Sequence, residues 1–501
     1  MNREKEIALR HQYILNSAMA VEKLLAPKIA SHPLRQVYHV MPPLNWMNDP
    51  CAMVWFKGYY HLFYQYDPYH ISPRGMFFGH VRSADLAHWE QLPIALGPSD
   101  PWELYNRDEA GKNFGIFTGS AVVDGDRLVV AYCGSSYDED GKLVQTICLA
   151  FSTDGIHFEK YEGNPVIAAP PKDGSRDFRD PKIWKHDGTW YMMMGSCRDG
   201  KGKVLLYTSP NLTDWTYIGV AAESDGSFGK MWECPDFFEL DGYDVLIFSP
   251  IGMHHVDTCW QVGHMDYETG TFEKISWGKI DFGKEFYAPQ TLLSPDGRRI
   301  MIGWCNMWAH DGRDTFTTFG STAAHGWCGH MSIPRELHVD STGQLTVSPA
   351  AETALLRQEP SDICRYILDH QIQKVPFLGH KASELRLSIC ADTDSRGRCG
   401  VRIRGGNEHY TEIGWDTDKN AIYLDRRYSD GIYDDIQYFA RAATDDPCIR
   451  IFTDSIGVEL FADNGSIRAT NNIYPDPDHT ELSLFSSGMR CILTLEGWRL
   501  C

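Results

Sequence analysis

A hairpin signal recurs five times along this chain at a nearly regular interval. Each copy is an apolar run, a turn ending in glycine, and a second apolar run. The copies span residues 53–66, 121–133, 183–195, 237–249 and 292–304, with turn glycines Gly58, Gly125, Gly188, Gly242 and Gly297. Four of these glycines follow an aspartate, and Asp-Gly between apolar runs marks a tight hairpin whose central residues take positive φ. The glycines lie 67, 63, 54 and 55 residues apart. That interval holds about four strands, and repeats of four strands close into a β-propeller. Five copies predict five blades. A second motif falls between the hairpins: Ser83-Ala-Asp-Leu-Ala-His-Trp89, Ser152-Thr-Asp-Gly-Ile-His-Phe158 and Ser209-Pro-Asn-Leu-Thr-Asp-Trp215. It reads as a turn closing onto an outer strand.

The expected fold class is all-β: a five-bladed β-propeller with a C-terminal β-sandwich and a short N-terminal helix. Residues 1–34 form the helical appendage. Ile7, Ile14, Ala18, Val21 and Leu25 make one stripe at helical spacing, and Pro27 and Pro33 mark its end. Residues 35–352 form the propeller. Residues 353–501 lack the repeat, open on a linker at 355–360, and carry evenly spaced alternating segments at 384–389, 401–404, 421–424, 449–452, 458–461 and 481–485. Such spacing predicts a sandwich.

Three acids share a register within the repeats. Asp49 lies nine residues before Gly58, Asp180 eight before Gly188, and Glu233 nine before Gly242. Acids at one height of a closed ring converge on its axis. Hydrolysis of a glycosidic bond with retained configuration needs two carboxyls, one ionised to attack and one protonated to donate. Asp49 is the candidate nucleophile, Glu233 the acid/base, and Asp180 a third group gripping sugar hydroxyls. Arg179 would orient them. The positions equivalent to the acids in the second and fifth repeats fall near Phe117 and Tyr287, which supply pocket wall.

The net charge of −20 argues against nucleic acid or an anionic membrane as partner. No apolar run reaches membrane-spanning length, and the N-terminus does not read as a signal peptide. Fourteen cysteines without C-x-x-C or zinc spacing read as reduced thiols in a cytoplasmic protein. A homo-oligomer stays open.

The motifs Trp46-Met-Asn-Asp-Pro50, Phe63-Tyr-Gln-Tyr66, Arg179-Asp-Pro181, Trp232-Glu-Cys-Pro235 and Phe286-Tyr-Ala-Pro-Gln-Thr291, in this order, resemble glycoside hydrolase family 32. That family contains invertases, sucrose-6-phosphate hydrolases, inulinases and levanases. The resemblance runs from about His39 to Leu337. It implies the same propeller and sandwich, the same roles for Asp49, Asp180 and Glu233, and no metal or organic cofactor. It implies substrate contacts from Asn48, Gln65, Phe117, Thr118, Tyr287 and Trp308, and that Cys234 tunes the neighbouring acid. The implied activity is a retaining β-fructofuranosidase acting on a small carbohydrate, sucrose or a short fructo-oligosaccharide. Alternatives are a sucrose-6-phosphate hydrolase, a fructosyltransferase, a non-catalytic fructan-binding protein and an inverting arabinanase-like hydrolase. The chain departs from the family pattern at Cys51-Ala52, where Asn-Gly usually follows Asn-Asp-Pro, and at Phe78-Gly79-His80, where Trp-Gly-His is usual. An aromatic platform is missing at residues 70–74, where Arg74 stands as a candidate phosphate contact.

Overall fold

The structure is a computed structural model describing residues 3–105, 107, 111–253, 258–310, 313–314, 320–360, 363–391, 395–429, 431–443 and 446–501. The chain opens on a helix, Arg3–Ile29. The helix runs through Pro27, where the sequence predicts its end. In a last turn the proline costs only one ladder bond, so the helix closes two residues later. Ile7 and Ala18 bury against the following sheets. Arg10 Nη2 donates to Asp100 Oδ1 at 3.0 Å, and the Gly97 N–H donates to His11 Nε2 at 3.1 Å.

Beyond the helix the strands form antiparallel meanders. The first is Asn45–Phe56, Tyr59–Asp67 and Gly75–Ser83, with Trp89–Gln91 at its edge. The second begins at Phe114–Asp124 and touches the first through a two-pair parallel contact, Gly75 with Phe114 and Met76 with Gly115. Four-stranded sheets follow from Phe178–His186, Met231–Leu240 and Tyr287–Leu293. The opening strand of each meander packs on the opening strand of the next. Tyr287–Leu293 returns to pack on Asn45–Phe56, so the sheets close into a ring. Apolar clusters fill the space between neighbouring sheets, such as Met192, Leu205 and Ile183 with Val129, Leu149 and Ile147.

Three hairpins turn as their sequence predicts. Lys57-Gly58, Asp187-Gly188 and Asp241-Gly242 all have positive φ at both residues. The other two differ. Asp124 pairs with Arg127, so the central residues are Gly125 and Asp126, and of these two only the glycine takes positive φ. At Gly297 the strands stop at Leu293 and Arg299, leaving a longer loop closed by Ser294 N–H to Arg298 O at 2.8 Å. The serine motif between hairpins is a side-chain-capped turn. Asp85, Asp154 and Asn211 each accept the backbone N–H groups two and three residues on, at 2.8–3.1 Å. These bonds swing Trp89, Phe158 and Trp215 out of the turn.

Residues after 350 form two antiparallel sheets of seven and six strands. Leu385, Leu387 and Ile389 of one sheet and Val401, Ile413 and Leu484 of the other meet in one core. The expected linker is not one: Arg357–Pro360 is an edge strand paired with Arg490–Leu500. An edge position tolerates the missing N–H of Pro360.

A buried charge network locks this sandwich to the ring. His39 Nδ1 lies 2.8 Å from Asp454 Oδ2, and its Nε2 2.9 Å from Glu459 Oε1. Arg335 donates to Asp281 Oδ2 at 2.7 Å and also to Glu459. Burial alone would lower the His39 pKa, but the hydrogen bonds and charges of Asp454 and Glu459 outweigh it and raise it to about 9. Burial alone would raise Glu459, but Arg335 and His39 pull it down to about 2. Removing any one partner would strand a buried charge, so the two parts keep a fixed apposition.

Candidate active site

Each opening strand of the ring breaks register at the same level. The breaks fall between Met47 and Pro50, between Phe117 and Gly119, across Asp180-Pro181, between Glu233 and Asp236, and between Tyr287 and Gln290. Proline is the local cause in four of them, because Pro50, Pro181, Pro235 and Pro289 have no N–H to give the ladder. A bulge leaves a residue unpaired and re-aims its side chain. Asp180, Cys234 and Ala288 take φ of 64°, 49° and 49°, left-handed conformations that a residue before proline rarely adopts. Glycines at this level make room by omission. A Cβ on Gly195 would sit 2.2 Å from Trp232 O, and one on Gly119 would sit 1.8 Å from Ala131 O.

The bulges bring the three acids to one cleft of about 1380 Å³. The Cys234 N–H donates to Asp180 Oδ2 at 2.8 Å, and its S–H to Asp49 Oδ2 at 3.6 Å. Arg179 Nε and Nη2 donate to Glu233 Oε1 at 3.1 and 2.8 Å, and the Tyr287 hydroxyl donates to Glu233 Oε2 at 2.5 Å. Burial pushes the Asp49 carboxyl up to about 8, and the charges of Glu233 and Asp180 add to the rise. Burial also raises Asp180, to about 6, with the Arg179 guanidinium pulling the other way. Burial and the three carboxylates push the Cys234 thiol well above its usual range, so it stays a donor. Burial, and then the charge of Glu233, push the Tyr287 phenol well above its usual range, so it stays protonated.

The other predicted contacts border the same cleft: Asn48, Gln65, Phe117, Thr118 and Trp308 all line it. Trp46 Nε1 donates to Asn48 Oδ1 at 2.6 Å, and the Asn48 side chain hydrogen-bonds Asp49, which works against the rise in its pKa. Trp308 stacks on buried Trp46 with ring centroids 5.9 Å apart, whereas Trp304 is fully buried behind them. Arg74 is placed elsewhere. It lines a separate cavity of about 460 Å³ together with Ile14 of the N-terminal helix and Tyr69.

Several cleft residues had no signal in the motifs. Gln145 and Asp177 hold Arg179, at 3.3 and 2.9 Å from its Nη1. Gln145 lies on the strand Leu143–Ser152, away from any acid motif, and Asp177 two residues ahead of Arg179 could have been suspected. The sandwich also contributes wall, through Gln437, Tyr438 and Phe439, which face Lys279, Phe282 and Lys284 of the ring. No pattern in the sandwich sequence pointed there, because the contact depends on how the two parts dock. Among the described residues no group of three His, Cys, Asp or Glu side chains is arranged to hold a metal ion.

Residues 39–349 match the family model for the N-terminal domain of glycosyl hydrolases family 32, and residues 352–499 match the model for its C-terminal region. The chain is 34% identical over 474 residues to a sucrose-6-phosphate hydrolase of Escherichia coli, covering 90% of this chain and 91% of that one. It is 34% identical over 496 residues to a raffinose invertase of Escherichia coli, covering 95% and 96%. A family 32 β-fructofuranosidase of Bombyx mori superposes with a TM-score of 0.81 at 33% identity, over 97% of this chain and 98% of that one.

Proposed function

The chain belongs to glycosyl hydrolase family 32, and from that membership we propose how its cleft works. It is a glycoside hydrolase of the β-fructofuranosidase type, releasing fructose from a terminal, non-reducing β-D-fructofuranosyl unit. We read its ring as five blades, with residues 35–352 as the catalytic domain, 353–501 as the sandwich and 1–34 as an appendage. The single observation that carries the mechanism is the placement of Asp49, Asp180 and Glu233 on three opening strands, each at the bulge, around one cleft. Fourteen cysteines scattered without C-x-x-C or zinc spacing favour a reducing compartment, and we place the enzyme in the cytoplasm.

In this mechanism Asp49 attacks the anomeric carbon of the fructosyl unit while Glu233 gives its proton to the departing oxygen. The bond to the leaving sugar breaks as the ester to Asp49 forms. Water then enters, loses a proton to Glu233 and displaces Asp49, which restores both groups with retained configuration. Asp180 accepts hydrogen bonds from the ring hydroxyls and stabilises the positive charge that develops on the ring. Arg179 and Tyr287 hold Glu233 in place.

Asp49 and Asp180 titrate as neighbours in one buried cluster. With Asp49 raised to about 8 and Asp180 to about 6, this pair holds one shared proton near pH 7. One proton is the inventory the displacement needs: a protonated donor and an ionised nucleophile. Below about 6 a second proton enters and quenches the nucleophile. Above about 8 the shared proton leaves and no acid remains. The expected kcat/KM profile is therefore a bell with limbs near 6 and 8. A profile flat from pH 5 to 9 would contradict a shared proton.

The substrate reading is tested with sucrose, sucrose 6-phosphate, kestose, inulin and levan on the purified protein. We expect fructose release from sucrose or its 6-phosphate, with kcat/KM for the polymers lower. The relatives named for sucrose 6-phosphate make that ester the second reading. Release of fructose from none of the five would overturn the assignment.

A further inference from the structure

Cys51 stands where the family pattern has asparagine, and the mechanism above gives it no task. Its side chain is fully buried beneath the cleft. Its hydrogen bonds have a direction. The S–H donates to the Asp49 carbonyl oxygen at 3.6 Å. With its proton committed, the sulfur accepts from its other neighbours: Gln65 Nε2 at 3.1 Å, and the Thr118 hydroxyl, 3.9 Å away. Burial pushes the Cys51 thiol well above its usual range, which keeps it a thiol and a donor.

Gln65 is also buried and lines the cleft. Its amide nitrogen gives one hydrogen to Cys51 and the other to the Ile116 carbonyl oxygen at 2.9 Å. Both donors are thereby spent, so Oε1 is what the amide has left for a ligand. The Ile116 carbonyl rejects the flipped amide, which would set two acceptors against each other. Cys51 fixes the remaining rotation. Thr118, with its hydroxyl hydrogen turned to the sulfur, likewise presents lone pairs.

We infer that Cys51 is a positioning residue for the fructosyl subsite, whose sulfur holds Gln65 and Thr118 as acceptors for the hydroxyl groups of the bound sugar. This rests on the β-fructofuranosidase reading and deepens it. The subsite would favour ligands that donate at those positions, and a deoxy or O-methyl sugar there would leave a buried acceptor unpaired.

The test compares Cys51→Ser, Cys51→Ala and Cys51→Val with wild type in steady-state kinetics on sucrose, with Tm recorded for each. Serine keeps one donor and two acceptor directions; alanine and valine keep none. For alanine and valine we expect KM to rise about 3- to 10-fold, the size of one or two hydrogen bonds, with kcat changed less. Serine should restore KM to within about twofold. A Gln65→Leu variant should lose the same affinity, and Gln65→Leu combined with Cys51→Val should lose little more, because both act through one amide. A purely structural cysteine predicts lower Tm with KM unchanged, or effects that multiply in the double variant. Either result overturns the inference while wild-type turnover keeps the enzyme assignment intact. Absence of wild-type turnover overturns both.

Discussion

Asp49→Asn is expected to lower kcat/KM for sucrose by on the order of 10⁴- to 10⁶-fold, the size of loss seen when a covalent nucleophile is removed. The substitution is nearly isosteric, and an amide oxygen can still accept the Cys234 S–H that now reaches Asp49 Oδ2 at 3.6 Å. Packing should therefore survive. The cost of the native residue is electrostatic: burial, Glu233 and Asp180 together push its carboxyl up to about 8. An asparagine carries no charge to desolvate, so Tm should hold or rise. Stability gained together with activity lost is the mark of a group kept for chemistry rather than for folding. Initial rates and a thermal melt on the same preparation check both halves. Activity within tenfold of wild type would remove Asp49 from the nucleophile role.

That balance also explains what could be read in the sequence. The ring was legible because hairpins are local events: Asp187-Gly188 and Asp241-Gly242 need only their own backbone to turn. The register of Gly125 was missed by one residue, because the strand extends through Asp124 to pair with Arg127, and pairing across a sheet is not a local property. The acids were legible because each stands one or two residues before a proline in an otherwise apolar strand, a local conflict that a functional bulge resolves. Arg179 could be named from its neighbour Asp180, but Gln145 could not. It reaches Arg179 from another sheet, and only the closed ring brings them together. The sandwich wall at Tyr438 is harder still, since it depends on the docking fixed by His39, Asp454 and Glu459. Distance from the local chain, more than chemical obscurity, decided what was hidden.

Replacement of Glu233 should behave differently from that of Asp49, and the difference identifies the acid. Both Glu233 oxygens already accept, Oε1 from Arg179 and Oε2 from Tyr287. A glutamine would set its NH₂ against one of these donors, so Glu233→Gln should lower Tm as well as activity. Glu233→Ala avoids that conflict and opens space beside the anomeric carbon. For sucrose, whose leaving oxygen needs a proton, we expect kcat/KM to fall about 10²- to 10⁴-fold in the alanine variant. For a 4-nitrophenyl β-D-fructofuranoside, whose leaving group departs as a stable anion, formation of the ester to Asp49 should be nearly unaffected. Its breakdown should then limit the rate, because water has lost its base. Azide needs no base, so added azide should restore turnover of the activated substrate and yield fructosyl azide of retained configuration. With the activated substrate the basic limb near pH 8 should also vanish, because its leaving group departs without taking a proton. Equal losses on both substrates would strip Glu233 of the acid role. An inverted azide product would replace the two displacements at Asp49 with one.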